Sequence, residues 1–274
     1  MTVPRATPAA GADAIRLAVA GCCGRMGRAV LRLAAEAPDF HIVAALTIPE
    51  DPALGADAGV LGGVAPLGVA ASCDPNADFD VLIDFTAPAG VEQWSAACAA
   101  RGAALVSGVT ALTEPAQAAL RRAAERTAVL WAPNMSMGVN LLIRMARELA
   151  ARAPDWDIEI VEAHHGAKLD APSGTARALL EAVCQGRKVD PSETATYGRQ
   201  GHRCPRKTGE VGVHALRLGG VVGDHDVHFA TSAETLTLRH HAASRDVFAA
   251  GALHAARWLC GRPPGLYTMA DVLG

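Results

Sequence analysis

The sequence has few aromatic residues, few charges and no surplus of positive charge. Aromatic residues make up 4% of the 274 residues, charged residues make up 19%, and the formal net charge is −3. Proteins that bind nucleic acid usually carry a basic surplus, and many of them stack bases on aromatic side chains. No apolar run approaches the roughly 20 residues that a membrane-spanning helix needs. We therefore expect neither a nucleic acid nor a membrane as a partner.

Cysteine pairs with the spacing of a structural zinc site are missing, because the sequence contains no CxxC. The seven cysteines are odd in number and scattered, which disfavours a disulfide framework in a chain of this length. These features favour reduced thiols, a cytoplasmic protein and no metal site. The first residues are rich in Pro and Ala and lack the apolar stretch of a signal peptide, so residues 1–13 are predicted to form a flexible tail.

Half of the residues are hydrophobic, and before Pro133 they form short apolar runs that alternate with amphipathic segments. This alternation is typical of βαβ units and a parallel sheet. Thr113 is a candidate N-cap for the helix predicted at residues 115–126. The predicted strands are residues 15–20, 40–46, 81–85, 104–107 and 129–132, and the predicted helices are residues 25–37, 91–101 and 115–126.

After Pro133 the pattern changes, because three strand-like segments follow one another without helices between them. Such a run suggests an antiparallel or mixed sheet. Residues 191–207, rich in Gly, Pro and Arg, are predicted to form an exposed loop. The predicted helices are 137–153, 173–185 and 245–259, and the predicted strands are 158–163, 211–218, 221–230 and 234–240.

A glycine-rich turn, GCCGRMG, directly follows the first predicted strand and precedes a helix. Gly21, Gly24 and Gly27 would let the main chain approach a pyrophosphate at the helix N-terminus, and Arg25 could reach a phosphate. The spacing is GxxGxxG rather than GxGxxG, so a tight turn without a ligand is the alternative. Thr47 stands at the end of the second predicted strand, directly after residue 46, where an acidic residue would indicate NAD. The residues alone therefore leave NADH and NADPH both open.

A second informative segment runs from residue 159 to residue 176. His164 and His165 end a predicted strand, Lys168 follows them, and Ser173 is a natural N-cap whose helix offers free N–H groups at Gly174 and Thr175. In a chain of net charge −3 this is a local positive site. Its size suits a small dicarboxylate better than a polyanion.

The paired histidines admit two other interpretations, a metal site and ordinary polar surface. Metal ligation is disfavoured because adjacent side chains of a strand point to opposite faces. His225 and His228 are disfavoured as a pair of metal ligands for the same reason.

Several motifs together resemble those of the bacterial 4-hydroxy-tetrahydrodipicolinate reductase family, long called dihydrodipicolinate reductases. The resemblance covers nearly everything after the tail, and its most specific motif is EAHHGAKLDAPSGTA. The matching motifs are GCCGRMGR from Gly21, VLIDFT from Val81, SGVTAL from Ser107, APNMSMGVN from Ala132, EAHHGAKLDAPSGTA from Glu162, VVGDHDVHF from Val221, SRDVFAAGALHAARWL from Ser244 and GLYTMADVL from Gly265.

The resemblance implies an α/β protein with an N-terminal Rossmann-like domain and a C-terminal α+β domain. The first, residues 14–135 and 246–274, would bind NADH or NADPH. The second, residues 136–245, would bind the substrate and build a homotetramer through its sheet. The implied reaction is the reduction of 4-hydroxy-tetrahydrodipicolinate to tetrahydrodipicolinate with loss of water, on the way to diaminopimelate and lysine.

The resemblance also implies roles for individual residues. His164 and Lys168 would be catalytic, and either could donate the proton. The substrate would be bound by His165, Lys168, Ser173, Gly174, Thr175 and Arg245. The cofactor would be bound by Gly21, Cys22, Cys23, Gly24, Arg25, Met26, Gly27, Thr47, Gly108, Val109, Thr110, Ala132, Pro133, Asn134 and Met135.

The chain departs from the usual family pattern on the cofactor face. Thr47 stands where the family usually has an acidic residue, Val109 replaces a frequent Thr, and Met135 replaces a frequent Phe. His241 replaces a frequent Lys or Arg. Two other functions stay open: a nucleotide-binding sensor without turnover, and a related dehydrogenase that acts on another small imino or oxo acid.

Overall fold

The computed structural model describes residues 14–75 and 77–274. The predicted tail, residues 1–13, lies outside the described residues. The chain divides into two compact units: the first contains the chain up to Ser136 together with Phe248–Gly274, and the second contains Met137–Val247. Which ligand each unit binds stays a prediction, as do the domain boundaries drawn from the sequence.

Strands and helices follow one another closely along the described chain, and the elements predicted from the sequence have bounds within three residues of the observed ones. Within the described residues, no helix is long and apolar enough to cross a bilayer. In chain order the elements are β1 (Ile15–Ala20), α1 (Arg25–Glu36), β2 (Phe40–Leu46), α2 (Ala58–Gly62), β3 (Ala71–Ser72), β4 (Val81–Asp84), α3 (Pro88–Arg101), β5 (Ala104–Ser107), α4 (Glu114–Ala124), β6 (Ala128–Trp131), α5 (Met137–Arg152), β7 (Asp157–His164), α6 (Gly174–Arg187), α7 (Pro191–Thr194), β8 (Ala195–Tyr197), β9 (Val211–Arg217), β10 (Asp224–Ala230), β11 (Thr235–His241), α8 (Asp246–Leu259), β12 (Gly265–Tyr267) and α9 (Met269–Leu273).

Among the described residues, the sheet of the first unit has seven parallel strands in the order β12-β6-β5-β4-β1-β2-β3. β1 lies between β2 and β4, so the strand order reverses at that point, as it does in Rossmann-like folds. Every residue of β4 and β5 is buried, as expected for parallel strands whose two faces are both covered. The predicted Rossmann-like parallel sheet is confirmed.

The sheet of the second unit has five strands in the order β11-β10-β7-β9-β8. β7, β9 and β8 run parallel to one another, whereas β10 and β11 are antiparallel to their neighbours. Burial alternates along β7, and Ile158 and Ile160 pack in one apolar core with residues of α5 and α6. The predicted α+β unit with a mixed sheet is confirmed.

Residues 191–207, predicted to form an exposed loop, are partly ordered into secondary structure. The carboxylate of Asp190 caps α7, and β8 then pairs with β9. Farther along, Arg199 and Arg206 form ion pairs with Glu159 of β7. The loop prediction was wrong for its first half, because α7 (PSET) and β8 (ATY) are short and contain no apolar run. The elements α2, β3, β12 and α9, which have two to five residues, were not predicted either.

Candidate active site

The turn between β1 and α1 requires glycine at two positions. Gly21 has a φ of +77°, and a Cβ on it would lie 2.8 Å from the carbonyl oxygen of Phe85. A Cβ on Gly27 would overlap the carbonyl oxygen of Gly21. These close approaches place the first turn of α1 against the end of β1. In that arrangement main-chain N–H groups can contact a diphosphate.

The N-terminus of α1 offers its positive end to an anion. The N-cap is Gly24, which has no side chain to bond the first N–H groups, and the first turn contains no acidic residue. Gly24 and Arg25 are exposed. Cys22 is buried instead, and burial raises the pKa of its thiol to about 12, so that Cys22 contributes packing. The turn therefore fits the diphosphate of a dinucleotide.

Other predicted cofactor residues follow neighbouring strands of the same sheet. Because β5 and β6 run parallel to each other, Gly108–Thr110 and Ala132–Met135 lie together at its carboxyl edge. Thr110 and Pro133 are exposed, whereas the side chains of Val109 and Met135 are buried. The predicted contact of Val109 and Met135 with a cofactor would therefore have to involve their main-chain groups.

The structure adds Phe85 and Thr86 to this edge. The Phe85 ring packs against Gly108, where a Cβ would overlap it. Thr86 donates to the buried carboxylate of Asp84 (Oγ1 to Oδ1, 2.6 Å), which also accepts from Ser107 (3.2 Å). Burial raises the pKa of Asp84. The VLIDFT motif served to predict the strand at residues 81–85 and the resemblance, but Phe85 and Thr86 were not predicted as site residues.

Thr47 directly follows β2, as predicted. Its hydroxyl donates to the carboxylate of Asp51 (Oγ1 to Oδ2, 2.8 Å). Asp51 was not predicted as a site residue, although Pro49 at the second position of the turn from Ile48 to Asp51 is a turn signal in the sequence.

A buried carboxylate, Glu162, lies at the centre of a polar cluster in the second unit. Arg217 of β9 donates two hydrogen bonds to it, both of 2.9 Å. His164 Nδ1 lies 2.6 Å from Glu162, and the Ser173 N–H donates to it at 3.0 Å. Burial alone would raise the pKa of Glu162, but these hydrogen bonds bring it below its ordinary value. Glu162 is therefore ionised at neutral pH.

His164, a predicted catalytic residue, is buried at the end of β7. An ionised Glu162 accepts the Nδ1 proton, which leaves Nε2 as the nitrogen that can exchange a proton. Burial lowers the pKa of His164, Glu162 acts in the opposite direction, and Lys168 and Arg217 add to the lowering. The net pKa lies below its ordinary value, so the imidazole is neutral at pH 7.

Lys168 and His165 lie in the turn after β7. Lys168 Nζ pairs with Asp170 Oδ1 at 2.8 Å, and its charge is near enough to lower the pKa of His164. The main-chain N–H of His165 donates to the carbonyl of Val221 at 2.8 Å. Asp170 therefore holds Lys168 in the neighbourhood of His164.

Ser173 is the N-cap of α6, as predicted, and accepts from the Ala176 N–H at 3.2 Å. The helix begins at Gly174, which is exposed, and continues with Thr175, which is half-buried. Ser173 Oγ also lies 3.2 Å from Nε2 of His225, a buried residue whose ring is 5.2 Å from that of His164. Burial lowers the pKa of His225 from its ordinary 6.5 to about 4.

Glu162, Arg217 and His225 were not predicted as site residues. Glu162 was visible in the sequence two positions before His164, a spacing that places both side chains on one face of a strand. Arg217 and His225 lie more than 50 residues after Glu162 in the chain. They reach the cluster only because β9 and β10 pair with β7.

Arg245, also predicted to bind substrate, lies in the turn before α8. Among the hydrogen bonds of the described residues it takes no part in the Glu162 cluster, so its role stays a prediction. Within the parts of the chain that the structure describes, no group of three or more His, Cys, Asp or Glu side chains is arranged to hold a metal ion.

Two family models match consecutive parts of the chain. The one described as dihydrodipicolinate reductase, N-terminus, covers residues 15–135, and the one described as dihydrodipicolinate reductase, C-terminus, covers residues 138–273. The chain belongs to the dihydrodipicolinate reductase family. The resemblance inferred from the motifs is confirmed.

Members of this family are similar to the chain over nearly their whole length. A 4-hydroxy-tetrahydrodipicolinate reductase of Nitrosomonas europaea is 46% identical over 264 residues, which cover 95% of this chain and 98% of that protein. The one of Rubrobacter xylanophilus is 48% identical over 261 residues, 94% of this chain and 98% of that protein.

A solved structure of the same family is also similar. It is the dipicolinate-bound dihydrodipicolinate reductase from Paenisporosarcina sp. TG-14, which is 26% identical with a TM-score of 0.74 and covers 93% of this chain and 97% of that one.

Proposed function

We propose that the chain reduces 4-hydroxy-tetrahydrodipicolinate to tetrahydrodipicolinate with NADH or NADPH and loss of water, a step toward diaminopimelate and lysine. Relatives that share nearly half of its residues over their full length carry the name of this reductase. The observation that carries the mechanism is the Glu162–His164 pair, a buried carboxylate and imidazole 2.6 Å apart. It lies beside a lysine and the N-terminus of a helix.

The first unit would hold the dinucleotide at the carboxyl edge of its sheet. The diphosphate would lie on Gly21–Gly27, where the open N-terminus of α1 offers N–H groups and Arg25 offers a positive charge. Gly108–Thr110 and Ala132–Met135 would line the nicotinamide half. When bound, the reduced nicotinamide supplies a hydride.

The second unit would hold the two carboxylates of the substrate. Lys168, His165 and the start of α6 at Ser173, Gly174 and Thr175 provide cationic and N–H groups, with Arg245 as a further cation. The Lys168 ammonium is paired with the partly exposed Asp170, so a substrate carboxylate can share or replace that partner. The dipicolinate in the related solved structure is a dicarboxylate of the same kind.

We propose His164 as the group that delivers the proton. Reduction of the conjugated imine or enamine builds negative charge toward the ring nitrogen, and an imidazolium at that point neutralises it. Glu162 accepts from Nδ1 and so stabilises the protonated ring with Nε2 as the donor atom. Lys168 is the second candidate donor.

Substrate binding and protonation of His164 should be coupled. In the free chain, burial and the positive charges of Lys168 and Arg217 keep the pKa of His164 low. A bound dianion offsets those charges and so favours the imidazolium. The chain would then take up a proton when it binds its substrate.

We further propose that the protein is a cytoplasmic homotetramer that assembles through the sheet of the second unit. In support, Val211 and Val213 of β9 pack on α5 and α6, whereas Leu216 lies on the opposite face of the sheet and is 49% exposed. An apolar side chain exposed on that face suits contact with another subunit. Sedimentation equilibrium of the purified protein measures the assembly state, and a monomer at micromolar concentration would contradict this proposal.

A coupled assay tests the reaction. Dihydrodipicolinate synthase converts pyruvate and aspartate semialdehyde into the substrate, and oxidation of NADH or NADPH is followed by absorbance after this protein is added. We expect turnover, and a reaction without the synthase is the control. Nucleotide binding without turnover would favour a nucleotide-binding sensor instead. Turnover on other imino or oxo acids alone would favour a related dehydrogenase.

A further inference from the structure

The chain lacks an acidic residue at the end of β2, yet the fold returns a carboxylate to that point. Thr47 directly follows β2, and its main-chain N–H donates to the carbonyl of Ser72 at 2.9 Å. The chain then turns, with the Asp51 N–H donating to the Ile48 carbonyl at 3.1 Å. This turn places the Asp51 carboxylate against the Thr47 side chain, four residues after the position where Rossmann-like proteins that bind NAD usually carry their acid.

Two hydrogen bonds hold this carboxylate in one orientation. The Thr47 hydroxyl donates to Oδ2 at 2.8 Å, and the Ala53 N–H donates to Oδ1 at 2.9 Å. Thr47, Ala53 and Cys23 occupy three of the roughly four lone-pair sites of the carboxylate, and a thiol is a weak donor, so Asp51 can still accept from ligand hydroxyls. Asp51 is only partly buried, so a ligand can reach its carboxylate.

The Asp51 carboxylate also faces the glycine turn. Its pKa is lowered by the Ala53 N–H and Thr47, and in addition by a hydrogen bond from Cys23 and by the charge of Arg28. Cys23 belongs to the turn between β1 and α1, and Arg28 belongs to the first part of α1 and donates from Nε to the Cys23 carbonyl at 2.9 Å. Asp51 therefore lies between the end of β2 and the turn that would bind the diphosphate, where the adenosine ribose of a dinucleotide would lie.

The charges around this point suit a ribose better than a ribose phosphate. A 2′-phosphate would bring a second anion against the ionised Asp51, and like charges at such a distance repel. The residue after Thr47 is Ile48, which is 61% exposed and offers an apolar surface but no positive charge. The nearby cation, Arg28, already neighbours Asp51 and bonds the Cys23 carbonyl.

We propose that Asp51, oriented by Thr47, accepts hydrogen bonds from the adenosine ribose hydroxyls and makes the chain prefer NADH to NADPH. This inference rests on the proposed function, because it concerns the cofactor of the same reaction. It identifies the residue that replaces the missing acid at position 47.

Titration of the purified protein with NADH and with NADPH, followed by nicotinamide fluorescence or calorimetry, tests the proposal without turnover. We expect the Kd for NADH to be smaller than that for NADPH by about 10-fold or more, since hydrogen bonds to a charged acceptor are among the stronger ones. Asp51→Asn removes the charge at nearly constant shape. We expect it to weaken NADH binding by about 10-fold while NADPH binding stays equal or tightens.

Two further variants sharpen the comparison. Glu50→Gln removes the same charge from the adjacent exposed position and should leave the ratio of the two Kd values unchanged. Thr47→Val keeps the carboxylate but removes the hydroxyl that orients it, so the preference for NADH should shrink without disappearing. Thermal melting confirms that each variant is folded.

Two outcomes would overturn the assignment. They are a wild-type preference for NADPH, or a folded Asp51→Asn variant whose Kd ratio equals that of the wild type. Either result would leave the proposed reductase function standing, because both nucleotides would still bind. If the wild type bound neither nucleotide, the proposed function itself would fail.

Discussion

Replacing Glu162 by Gln should impair catalysis through His164 rather than through substrate binding. The carboxylate lies 2.6 Å from His164 Nδ1 and is the main group that raises the pKa of that imidazole against burial, Lys168 and Arg217. Gln keeps the shape but removes the negative charge. The pKa of His164 should therefore fall further below its ordinary value, and less of the acid form should be present at pH 7.

The size of the effect follows from the hydrogen bond that is lost. A hydrogen bond to a charged group contributes roughly 1.5–3 kcal/mol, which corresponds to about one to two pKa units. We therefore expect kcat/KM at neutral pH to fall by about 10- to 100-fold. Stability should fall as well, by about 3 kcal/mol, because Arg217 loses the partner of its two hydrogen bonds in a mostly buried place.

The assay is the pH dependence of kcat/KM, which reports the free enzyme. Because the acid form of His164 is the active one, activity in the wild type should decline as the pH rises through a pKa below 6.5. In the Glu162→Gln variant this decline should occur at lower pH. Glu159→Gln is the matched control, because Glu159 lies on the same strand and also contacts a histidine, His214, at 2.6 Å, but on the opposite face of the sheet.

A double-mutant cycle decides whether Glu162 acts through His164. We expect His164→Gln alone to reduce kcat by about 100-fold or more. Adding Glu162→Gln to it should cost little further activity, because the group being positioned is already gone. Fully multiplicative losses would refute the reasoning, and so would an unchanged pH profile in folded Glu162→Gln. If that variant folds poorly, the combination with Arg217→Met removes both buried charges and permits the same measurement.

Three further predictions concern other parts of the molecule. Lys168→Ala should weaken the binding of dipicolinate, measured by calorimetry, and should also lower kcat. An unchanged affinity for dipicolinate would exclude a role of Lys168 in holding carboxylates. The pKa of His225 is about 4 in the folded chain against an ordinary 6.5, so the unfolded chain binds more protons between these values and stability falls as the pH drops from 6.5 to 4. That loss should amount to about 3 kcal/mol in urea unfolding and should be smaller in His225→Gln; an equal pH dependence in both proteins would contradict it. Gly27→Ala should lower stability by about 1–3 kcal/mol, because its Cβ would overlap the Gly21 carbonyl. Gly24→Ala, whose Cβ would lie 3.3 Å from the same oxygen, should be much milder, and equal melting temperatures would count against the overlap.

The sequence predicted most elements of both sheets because their residues form short apolar runs or follow regular periods. β1, β2 and β5 have the predicted bounds, and Thr113 and Ser173 cap the helices for which they were proposed. The periods are local properties of consecutive residues, so they can be read without knowing which strands pair. The short elements α2, β3 and β8 were missed, whereas β5, which is just as short, was predicted because it is an apolar run between two turns.

The candidate site divides in the same way. The sequence by itself determined the groups that lie close together along the chain: the glycine turn, the His164–Lys168 segment and the N-cap at Ser173. Only the tertiary structure decided what surrounds them. Sheet pairing brings Arg217 and His225 to Glu162 and His164, and the pairing of β2 with β1 brings Asp51 near Cys23 and Arg28. Proton affinity and charge selectivity depend on burial and on distances of a few ångströms between residues far apart in the chain, and spacing in a sequence does not contain those distances.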